Sequence, residues 1–269
     1  MKVEFLVATT NRTDLKFIDR IFQNINIDDI YILVINQCID IPLPSKIDIP
    51  HDNIRVLSVT EKGTSVSRNL AIKNMIGDIC TFTDDDLIYE KGIIEKIINN
   101  FQQKNTDIIT FKTGIINSNK DIKYYKNNHF KHTFRSLLSI GDWEIFFKSN
   151  IIKAKNILLD ERFGLGCKYP ACEYHIFITD CYKKGIDISY IPIVVVRHPD
   201  IISTGLKFTP ILEISRGAGF ARILGYKSLI ASIFFAIKKH PLYKEKHSFF
   251  KECYFLIKGN IKILLSKKK

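Results

Sequence analysis

Apolar residues in the first 110 positions follow two spacings, which predict two kinds of element. Continuous apolar runs predict buried strands, and apolar residues three and four positions apart predict helices. Because the two kinds of element alternate, we expect a largely parallel sheet covered by helices. The predicted helices begin at Asp14, at Thr64 or Ser65, and at Ile93. The predicted strands are Phe5–Thr9, Ile30–Ile35, Ile54–Val59, Ile79–Thr83 and Ile108–Phe111.

The remainder of the chain has a less regular pattern. Residues 117–132 are polar and predict a loop or an excursion over a substrate, and Trp143–Phe147 predicts a strand. A helix is predicted over Glu173–Lys184 and a strand over Ile188–Val196. Two amphipathic helices, separated near Pro241, are predicted to close the chain.

The length of 269 residues fits one large domain with an appendage. We predict an α/β domain over residues 1–226, with halves 1–110 and 111–226, followed by a helical tail over residues 227–269. The first residues enter a predicted strand directly, so we expect neither a secretory leader nor a spanning helix. Six cysteines without a C-x-x-C pair suit a reducing, cytoplasmic location.

The formal net charge of +12 is spread unevenly, with an excess of lysine from Lys227 onward. Such a field attracts anions, such as nucleic acid, anionic lipid or phosphorylated substrates. Apolar residues at helical spacing in the same tail predict a helix lying on the inner face of the membrane, and the alternative is two helices packed on the domain. The lysines do not interleave with aromatic residues on one surface, so we expect no nucleic-acid partner. The tail lysines are Lys227, Lys238, Lys239, Lys244, Lys246, Lys251, Lys258, Lys262 and Lys267–Lys269.

Three consecutive carboxylates, Asp84, Asp85 and Asp86, directly follow the predicted strand Ile79–Thr83. Like charges so close together repel, and a divalent cation such as Mg²⁺ or Mn²⁺ neutralises them with hard oxygen ligands. In open α/β sheets, ligands bind beyond the carboxyl ends of the strands. The triplet therefore predicts a metal site, and the alternative is a solvated acidic turn.

The stretch from Gly63 to Asp86, GTSVSRNLAIKNMIGDICTFTDDD, resembles family-2 glycosyltransferases with a GT-A fold. The resemblance lies in a glycine, small residues, Arg-Asn, a helix, Gly-Asp, a strand and then the D-x-D acids. These features fall in register within one short segment, and a looser likeness extends to about residue 220. The resemblance implies a Rossmann-like, mostly parallel sheet, with residues 1–110 binding a nucleotide-sugar and residues 111–226 an acceptor.

Roles for donor binding follow from this resemblance. Asp86 and His198 would hold the metal, and Arg216, after the segment Ser203–Gly205, would neutralise the leaving diphosphate. Many family members carry an Asp at the end of strand two, where this chain has an Asn-Gln pair with amides suited to a base or ribose. The residues implied in nucleotide-sugar binding are Thr9, Asn11, Arg12, Asn36, Gln37, Gly63, Arg68, Asp84, Asp85 and Arg216. Arg68 has the alternative of a salt bridge with the acidic turn, and His198 and Arg216 have purely structural alternatives.

The resemblance also implies an acceptor side. Glu173 stands where the family has an acidic pair that deprotonates the acceptor hydroxyl, but here Tyr174 follows it, so only one carboxylate is offered. Gly164 and Gly166 would shape the acceptor pocket, and Trp143 would stack on a sugar ring. The alternatives are that Glu173 caps a helix and that Trp143 belongs to the core.

The resemblance favours an inverting, metal-dependent glycosyltransferase. It would move a sugar from a nucleoside-diphosphate sugar, with UDP preferred, to a hydroxyl of a glycan or polyprenyl-diphosphate-linked acceptor. The implied setting is the synthesis of capsule, O-antigen or another bacterial surface polysaccharide. A sugar-phosphate nucleotidyltransferase is the alternative enzyme, but it requires a glycine-rich basic loop after the first strand, where Thr9–Thr13 has no glycine.

Overall fold

The computed structural model describes residues 1–44, 47–199 and 207–266. The chain divides into two compact units. The first contains Met1–Lys62, Val66–Leu158 and Cys181–Asp200, and the second contains Gly63–Ser65, Leu159–Asp180 and Ile201–Lys269. The predicted domain boundaries at residues 110 and 226 stay predictions.

A mixed sheet forms the centre of the first unit. Among the described residues its strand order is β3-β2-β1-β4-β8-β6-β9-β5, with β7 also paired to β9. The pairs β2–β3, β1–β2, β1–β4 and β6–β9 are parallel, while β8 runs antiparallel to both of its neighbours. The strands are β1 Val3–Thr10, β2 Tyr31–Gln37, β3 Ile54–Val59, β4 Ile79–Asp84, β5 Ile88–Tyr89, β6 Ile108–Ile115, β7 Phe130–Lys131, β8 Ile145–Lys148 and β9 Ile188–His198.

Nine α-helices lie within the described residues. They are α1 Lys16–Ile21, α2 Thr64–Asn74, α3 Ile93–Lys104, α4 Phe134–Leu137, α5 Ser149–Ala154, α6 Glu173–Lys183, α7 Pro210–Leu224, α8 Ser228–Tyr243 and α9 Phe249–Ser266. Short 3-10 turns occur at Ile27–Asp29, Asp142–Glu144 and Gly225–Lys227.

The register of the parallel strands aligns their carboxyl ends at one edge of the sheet. Thr9 of β1 pairs with Asn36 of β2, and Ala8 pairs with Asp84 of β4. The strand sequences are apolar because these strands are buried. The ring centroid of Phe5 in β1 lies 4.8 Å from that of Phe22 and 4.6 Å from that of Tyr89. This register brings the polar residues that follow β1, β2 and β4 together.

Two predicted elements of the first unit are wrong in detail. The helix expected to be capped by Asp14 begins at Lys16, whose N–H donates to Asp14 Oδ1 at 3.1 Å. It ends at Ile21, whereas Phe22 and Ile25 were also expected on its apolar face, and the N–H of Ile25 bonds to the carbonyl of Phe22 in a turn. The expected strand Trp143–Phe147 starts only at Ile145. The residues before it form a 3-10 turn instead, because the N–H of Glu144 bonds to the carbonyl of Gly141 at 3.3 Å.

The second unit contains three carboxyl-terminal helices, α7, α8 and α9. The last two, α8 and α9, are the two helices predicted to close the chain, and the break between them follows Tyr243, close to the predicted position near Pro241. Pro241 lies inside the last turn of α8, two residues before the helix ends at Tyr243. Helices α7 and α9 pack closely because both use glycine at the contact. A Cβ atom on Gly217 would collide with the carbonyl of Leu256, and one on Gly259 with the carbonyl of Ile214.

By length and composition, one described helical stretch, Pro210–Tyr243, is apolar enough to cross a membrane, with a mean hydropathy of 1.5 in its most apolar window. The core helix of a soluble protein passes the same test. Helix α7, which forms the first part of this stretch, has buried residues along most of its length. The apolar residues of α7 are therefore used in packing, whereas only 28% of the most apolar window of the whole stretch is buried.

Candidate active site

Asp84, the last residue of β4, is held by a buried arginine on α2. Arg68 is 1% exposed and donates from Nη2 to Asp84 Oδ1 at 2.6 Å and from Nη1 to the carbonyls of Thr83, at 3.0 Å, and Leu6. The structure therefore contains the salt bridge that the sequence analysis gave as the alternative for Arg68. Burial raises the pKa of the Asp84 carboxyl, Arg68 opposes this, and the charges of Asp86 and Asp85 raise it further.

Asp85, the second carboxylate, is fixed by residues that follow β1. Its Oδ2 accepts hydrogen bonds from the Thr9 hydroxyl and from Arg12 Nη2, both at 2.6 Å. Arg12 Nε also donates to the Thr9 hydroxyl at 3.1 Å, and Arg20 donates to the backbone carbonyl of Asp85. The predicted residues Thr9, Arg12 and Asp85 are thus brought together, in an arrangement that determines the shape of the acidic turn.

The two predicted asparagines shape the loops beyond β1 and β2. Asn11 has a positive φ of 55°, and its Oδ1 accepts from the backbone N–H groups of Ile39 and Asp40 at 2.8 and 3.1 Å. Asn36 is fully buried and bonds to both the N–H and the carbonyl of Arg12, at 3.0 and 2.8 Å. Contacts of Asn11, Asn36 and the buried Gln37 with a nucleotide stay predictions.

One acidic residue beside this loop was missed in the sequence analysis. Asp40 is exposed, lies three residues after the end of β2, and accepts a hydrogen bond from Asn11 Nδ2 at 3.0 Å. It offers a carboxylate close to the position where many family members have an aspartate. The only sequence signal was an acid within the proline-containing loop after the strand.

Asp86 differs from its two neighbours. Its side chain is exposed, and it forms no hydrogen bond or ion pair with any other residue in the part of the chain that the structure describes. Asp84 and Asp85 are already bound to arginines, at 2.6 Å in each case. Asp86 is therefore the carboxylate of the triplet that no described residue binds.

His198, the last residue of β9, lies near the same turn, since the preceding residue, Arg197, pairs with Ile88 of β5, two positions after Asp86. The side chain is 5% exposed, and its Nδ1 is 2.6 Å from the carbonyl oxygen of Pro199. A carbonyl only accepts hydrogen bonds, so Nδ1 is the donor in this contact, and Nε2 is the nitrogen that carries the lone pair whenever the imidazole is neutral. Trp143 stacks on the imidazole, with ring centroids 4.4 Å apart and planes inclined by 29°.

These residues fit a divalent cation. No group of three or more His, Cys, Asp or Glu residues surrounds a cation position within residues 1–44, 47–199 and 207–266. Mg²⁺ usually binds one or two carboxylates and takes its other ligands from water and substrate phosphates, so a complete protein cage is not required. The exposed carboxylate of Asp86 supplies oxygen donors that Mn²⁺ and Mg²⁺ accept, and the neutral imidazole of His198 would supply a nitrogen donor that suits a transition metal such as Mn²⁺.

A buried carboxylate beside Trp143, that of Glu144, was also missed. The Glu144 carboxylate accepts from the Tyr125 hydroxyl and from Lys123 Nζ, both at 2.6 Å, and burial raises its pKa. Glu144 and Trp143 share the 3-10 turn before β8. The polar pattern of residues 117–132 predicted a loop and gave no signal that two of its residues bind a carboxylate some twenty positions away in sequence.

The predicted acceptor glycines, Gly164 and Gly166, lie in the second unit, and their backbone conformation accounts for glycine at both positions. Gly164 has a φ of 110°, and a Cβ atom there would lie 3.2 Å from the Cβ of Thr64. The Ser65 hydroxyl donates to the carbonyl of Phe163 at 2.6 Å. Gly63 and Gly166 also have positive φ angles, of 129° and 79°. These glycines allow the loop around Gly164 to approach residues Gly63–Ser65, and a role in acceptor binding stays a prediction.

Glu173 is the first residue of α6 and is half-buried. It follows Cys172, whose φ is 77° and whose thiol pKa is raised to about 12 by burial, with Glu173 adding to the shift. A carboxylate in the first turn is favoured by the helix dipole. This position suits both the predicted base and a structural cap, so the catalytic role of Glu173 stays a prediction.

Arg216, predicted to contact the diphosphate, lies in α7 and is 8% exposed. Its Nη1 forms an ion pair with the buried Glu213, its Nη2 donates to the carbonyl of Lys207 at 3.1 Å, and its guanidinium lies 4.9 Å from the ring centroid of Phe208. Contact with a diphosphate stays a prediction, and it would compete with the Glu213 pair. The segment Ser203–Gly205 lies outside the described residues.

The fold and these residues define a class of enzyme. The model of glycosyl transferase family 2 matches residues 11–163, more than half of the 269 residues. The chain therefore belongs to glycosyl transferase family 2, and the protein is a glycosyltransferase. This confirms the resemblance read from Gly63 to Asp86 and decides against a nucleotidyltransferase. No curated protein matches the sequence significantly.

Solved structures of TarS from S. aureus share the fold. One TarS structure has a TM-score of 0.61 and 12% sequence identity, over 98% of this chain and 54% of the TarS chain, so this chain spans about half the length of that protein. TarS 1–349 has a TM-score of 0.63 and 13% identity, over 100% of this chain and 91% of the other. TarS 1–349 in complex with UDP-GlcNAc has a TM-score of 0.64 and 12% identity, over 100% of this chain and 92% of the TarS chain. These structures confirm the predicted α/β, GT-A fold with a carboxyl-terminal helical part.

Proposed function

We propose that the protein transfers a sugar from a nucleoside-diphosphate sugar to an acceptor hydroxyl, with a divalent cation bound at the acidic turn. The observation that carries this proposal is the exposed carboxylate of Asp86, which no described residue binds, in a turn that lies near His198 at the end of β9. UDP is the preferred nucleotide, because TarS structures were solved in complex with UDP and with UDP-GlcNAc.

Asp86 and His198 are the proposed metal ligands, and Mn²⁺ or Mg²⁺ is the proposed ion. When bound, the ion supplies neutralisation of the negative charge on the leaving diphosphate. Arg68 and Arg12 hold Asp84 and Asp85 in place, so the turn is organised before any ligand arrives. A site organised in advance loses less free energy to reorganisation when charge develops on the diphosphate.

Glu173 is the proposed base. In this mechanism its carboxylate takes the proton of the acceptor hydroxyl, while the acceptor oxygen attacks the anomeric carbon. The bond from that carbon to the diphosphate breaks on the opposite face, so the configuration inverts. General-base catalysis of this kind contributes about 10²–10⁴-fold in rate.

The acceptor is proposed to be a glycan or a polyprenyl-diphosphate-linked saccharide of a bacterial surface polysaccharide, reached by peripheral contact with the cytoplasmic membrane. The support is a set of exposed apolar residues on α8 and α9, next to exposed lysines. Phe234 and Phe250 are 69% and 82% exposed. Other exposed apolar residues on these helices are Leu229, Ile230, Ile233, Ile237, Leu242, Tyr254, Ile261 and Leu265. An apolar face with neighbouring cations is typical of a helix at an anionic membrane interface.

Co-sedimentation with vesicles tests the membrane contact. We expect binding to vesicles with anionic phosphatidylglycerol, weaker binding to pure phosphatidylcholine, and weaker binding of the Phe234→Ser variant. Tyr124→Ser, at a position 91% exposed in the first unit, is the matched control and should bind like the wild type. Equal binding of all variants, or a Phe234→Ser variant that changes only the oligomeric state, would contradict the membrane contact.

Thermal shift measurements test the donor and metal proposal. We expect UDP with Mn²⁺ to raise the melting temperature more than UDP with a chelator, because ligand binding stabilises the folded state. The Asp86→Asn variant should lose the additional rise in melting temperature that Mn²⁺ causes in the presence of UDP. Asp52→Asn, at another exposed position of the first unit, should retain it. A shift by UDP that is identical with and without Mn²⁺ would contradict the metal site.

A further inference from the structure

Trp143 is placed where it can control the orientation of His198. The imidazole is restrained on its edge by the bond from Nδ1 to the Pro199 carbonyl, and on its face by the indole ring at 4.4 Å. Two restraints of this kind leave one orientation for Nε2. A histidine ligand depends on such partners, since they determine both the ring orientation and which nitrogen carries the lone pair.

The indole is itself held firmly. Trp143 lies in the 3-10 turn Asp142–Glu144, and the next residue, Glu144, is tied by its carboxylate to Tyr125 and Lys123. The turn therefore has little freedom to move the indole away from His198.

The environment of the indole nitrogen separates Trp143 from an ordinary core tryptophan. Nε1 is buried and has no hydrogen-bond partner among the described residues. Buried tryptophans usually satisfy this N–H group. The interaction with His198 thus uses the ring face and not the N–H, so phenylalanine should replace it and a non-aromatic residue should not.

We propose that Trp143 is a positioning residue that holds His198 with Nε2 directed for metal binding. This inference rests on the proposed metal site and adds a residue that the sequence analysis assigned to the acceptor pocket. Removal of such an outer partner of a metal ligand weakens metal binding by about 10–100-fold in other proteins.

Because Trp143 is the single tryptophan of the chain, its fluorescence reports on this site alone. Mn²⁺ is paramagnetic and quenches an indole at short range. We expect Mn²⁺ added in the presence of UDP to quench the emission of the wild-type protein, and the His198→Ala variant to lose most of this quenching. If the wild-type protein binds Mn²⁺ and its tryptophan emission is not quenched, then the metal is not close to Trp143 and the inference is overturned.

Electron paramagnetic resonance of free Mn²⁺, measured with UDP, gives the affinities of the variants. We expect Trp143→Leu to weaken Mn²⁺ binding about ten-fold and Trp143→Phe to retain near wild-type affinity. In the His198→Ala background, Trp143→Leu should have no further effect, because the two residues act as one unit. Wild-type affinity in Trp143→Leu, or the same loss in both backgrounds, would overturn the positioning role. A wild-type protein that binds no Mn²⁺ with UDP would overturn the metal site itself, which is a distinguishable result.

Discussion

The acidic turn after β4 and the interior of the carboxyl-terminal helices use charged residues in opposite ways. At the turn, Asp84 and Asp85 are paired with arginines, while the exposed Asp86 remains available. Among the helices, Glu213 and Glu252 are both fully buried. Charges at the turn are exposed enough to exchange partners with a ligand, whereas charges in the helices are enclosed by their partners.

In the helical cluster each buried carboxyl has a partner on one oxygen. Glu213 is paired with Arg216, and Glu252 Oε2 lies 2.6 Å from His247 Nε2. The two carboxyls also interact with each other, which together with burial raises the pKa of Glu213 to about 8. Breaking a buried pair leaves an uncompensated charge and costs several kcal/mol. The comparison therefore predicts that substitutions at the turn change activity, and that substitutions in the cluster change stability.

The largest expected effect is at Asp86. Asp86→Ala should abolish metal-dependent turnover and leave the melting temperature near the wild-type value, because removing one of three like charges does not destabilise the turn. Turnover of UDP-sugar with Mn²⁺ and with a chelator is the measurement, and Asp52→Ala is the control. Full activity of Asp86→Ala, with or without the chelator, would contradict the claim that the acidic turn is the site where substitutions change activity.

Next in size is Glu173. Glu173→Gln should bind UDP like the wild type and lose about 10²–10⁴-fold in turnover, because the amide cannot accept the acceptor proton. Glu245→Gln, an exposed position in the same unit, should keep its activity. Near-normal turnover of Glu173→Gln, measured by UDP release, would mean that a different residue is the base.

Arg216 separates the two regions most sharply, because the sequence assigned it to donor binding and its surroundings indicate a structural role. Arg216→Met should lower the free energy of unfolding by about 1–3 kcal/mol in urea, because the buried Glu213 carboxyl loses the hydrogen bond from Arg216. The double variant Arg216→Met with Glu213→Leu should recover much of that loss. If Arg216→Met instead keeps its stability and loses affinity for UDP, then the donor-binding role is correct.

A smaller effect is expected from pH. Because the folded-state pKa of Glu213 is raised to about 8, the folded state keeps a proton that the unfolded chain releases near pH 4.5. This contribution to stability is complete below that pH and is lost as pH rises through 8, at no more than about 1.4 kcal/mol per pH unit. Glu213→Gln imitates the protonated carboxyl, so its stability should fall less between pH 6 and 8.5 than that of the wild type. Parallel urea unfolding curves for the two proteins would contradict this, and Glu245→Gln is the control.

Features that depend on a local sequence pattern could be predicted from the sequence. Strand β3 was predicted with its observed bounds, and β1 and β4 to within two residues at either end, because buried parallel strands are continuous apolar runs. The acidic turn was found because three consecutive aspartates are conspicuous and parallel strands align their carboxyl ends.

Other features depend on partners far away in sequence. The link of Glu144 to Tyr125 and the stacking of Trp143 on His198 are tertiary contacts that no local pattern encodes. Glu213 and Arg216 look like residues of an exposed helix face, and only the packing of α7 on α9 buries them. The break between the two closing helices was predicted near Pro241, but Pro241 lies in the last turn of α8 and the break follows Tyr243.

The most direct test of the central claim is the position of Mn²⁺ in crystals grown with UDP, located by anomalous scattering. The account predicts one strong peak bonded to an Asp86 oxygen and to His198 Nε2, with diphosphate oxygens completing the coordination. A nucleotide bound elsewhere, or a Mn²⁺ peak distant from both side chains, would contradict it.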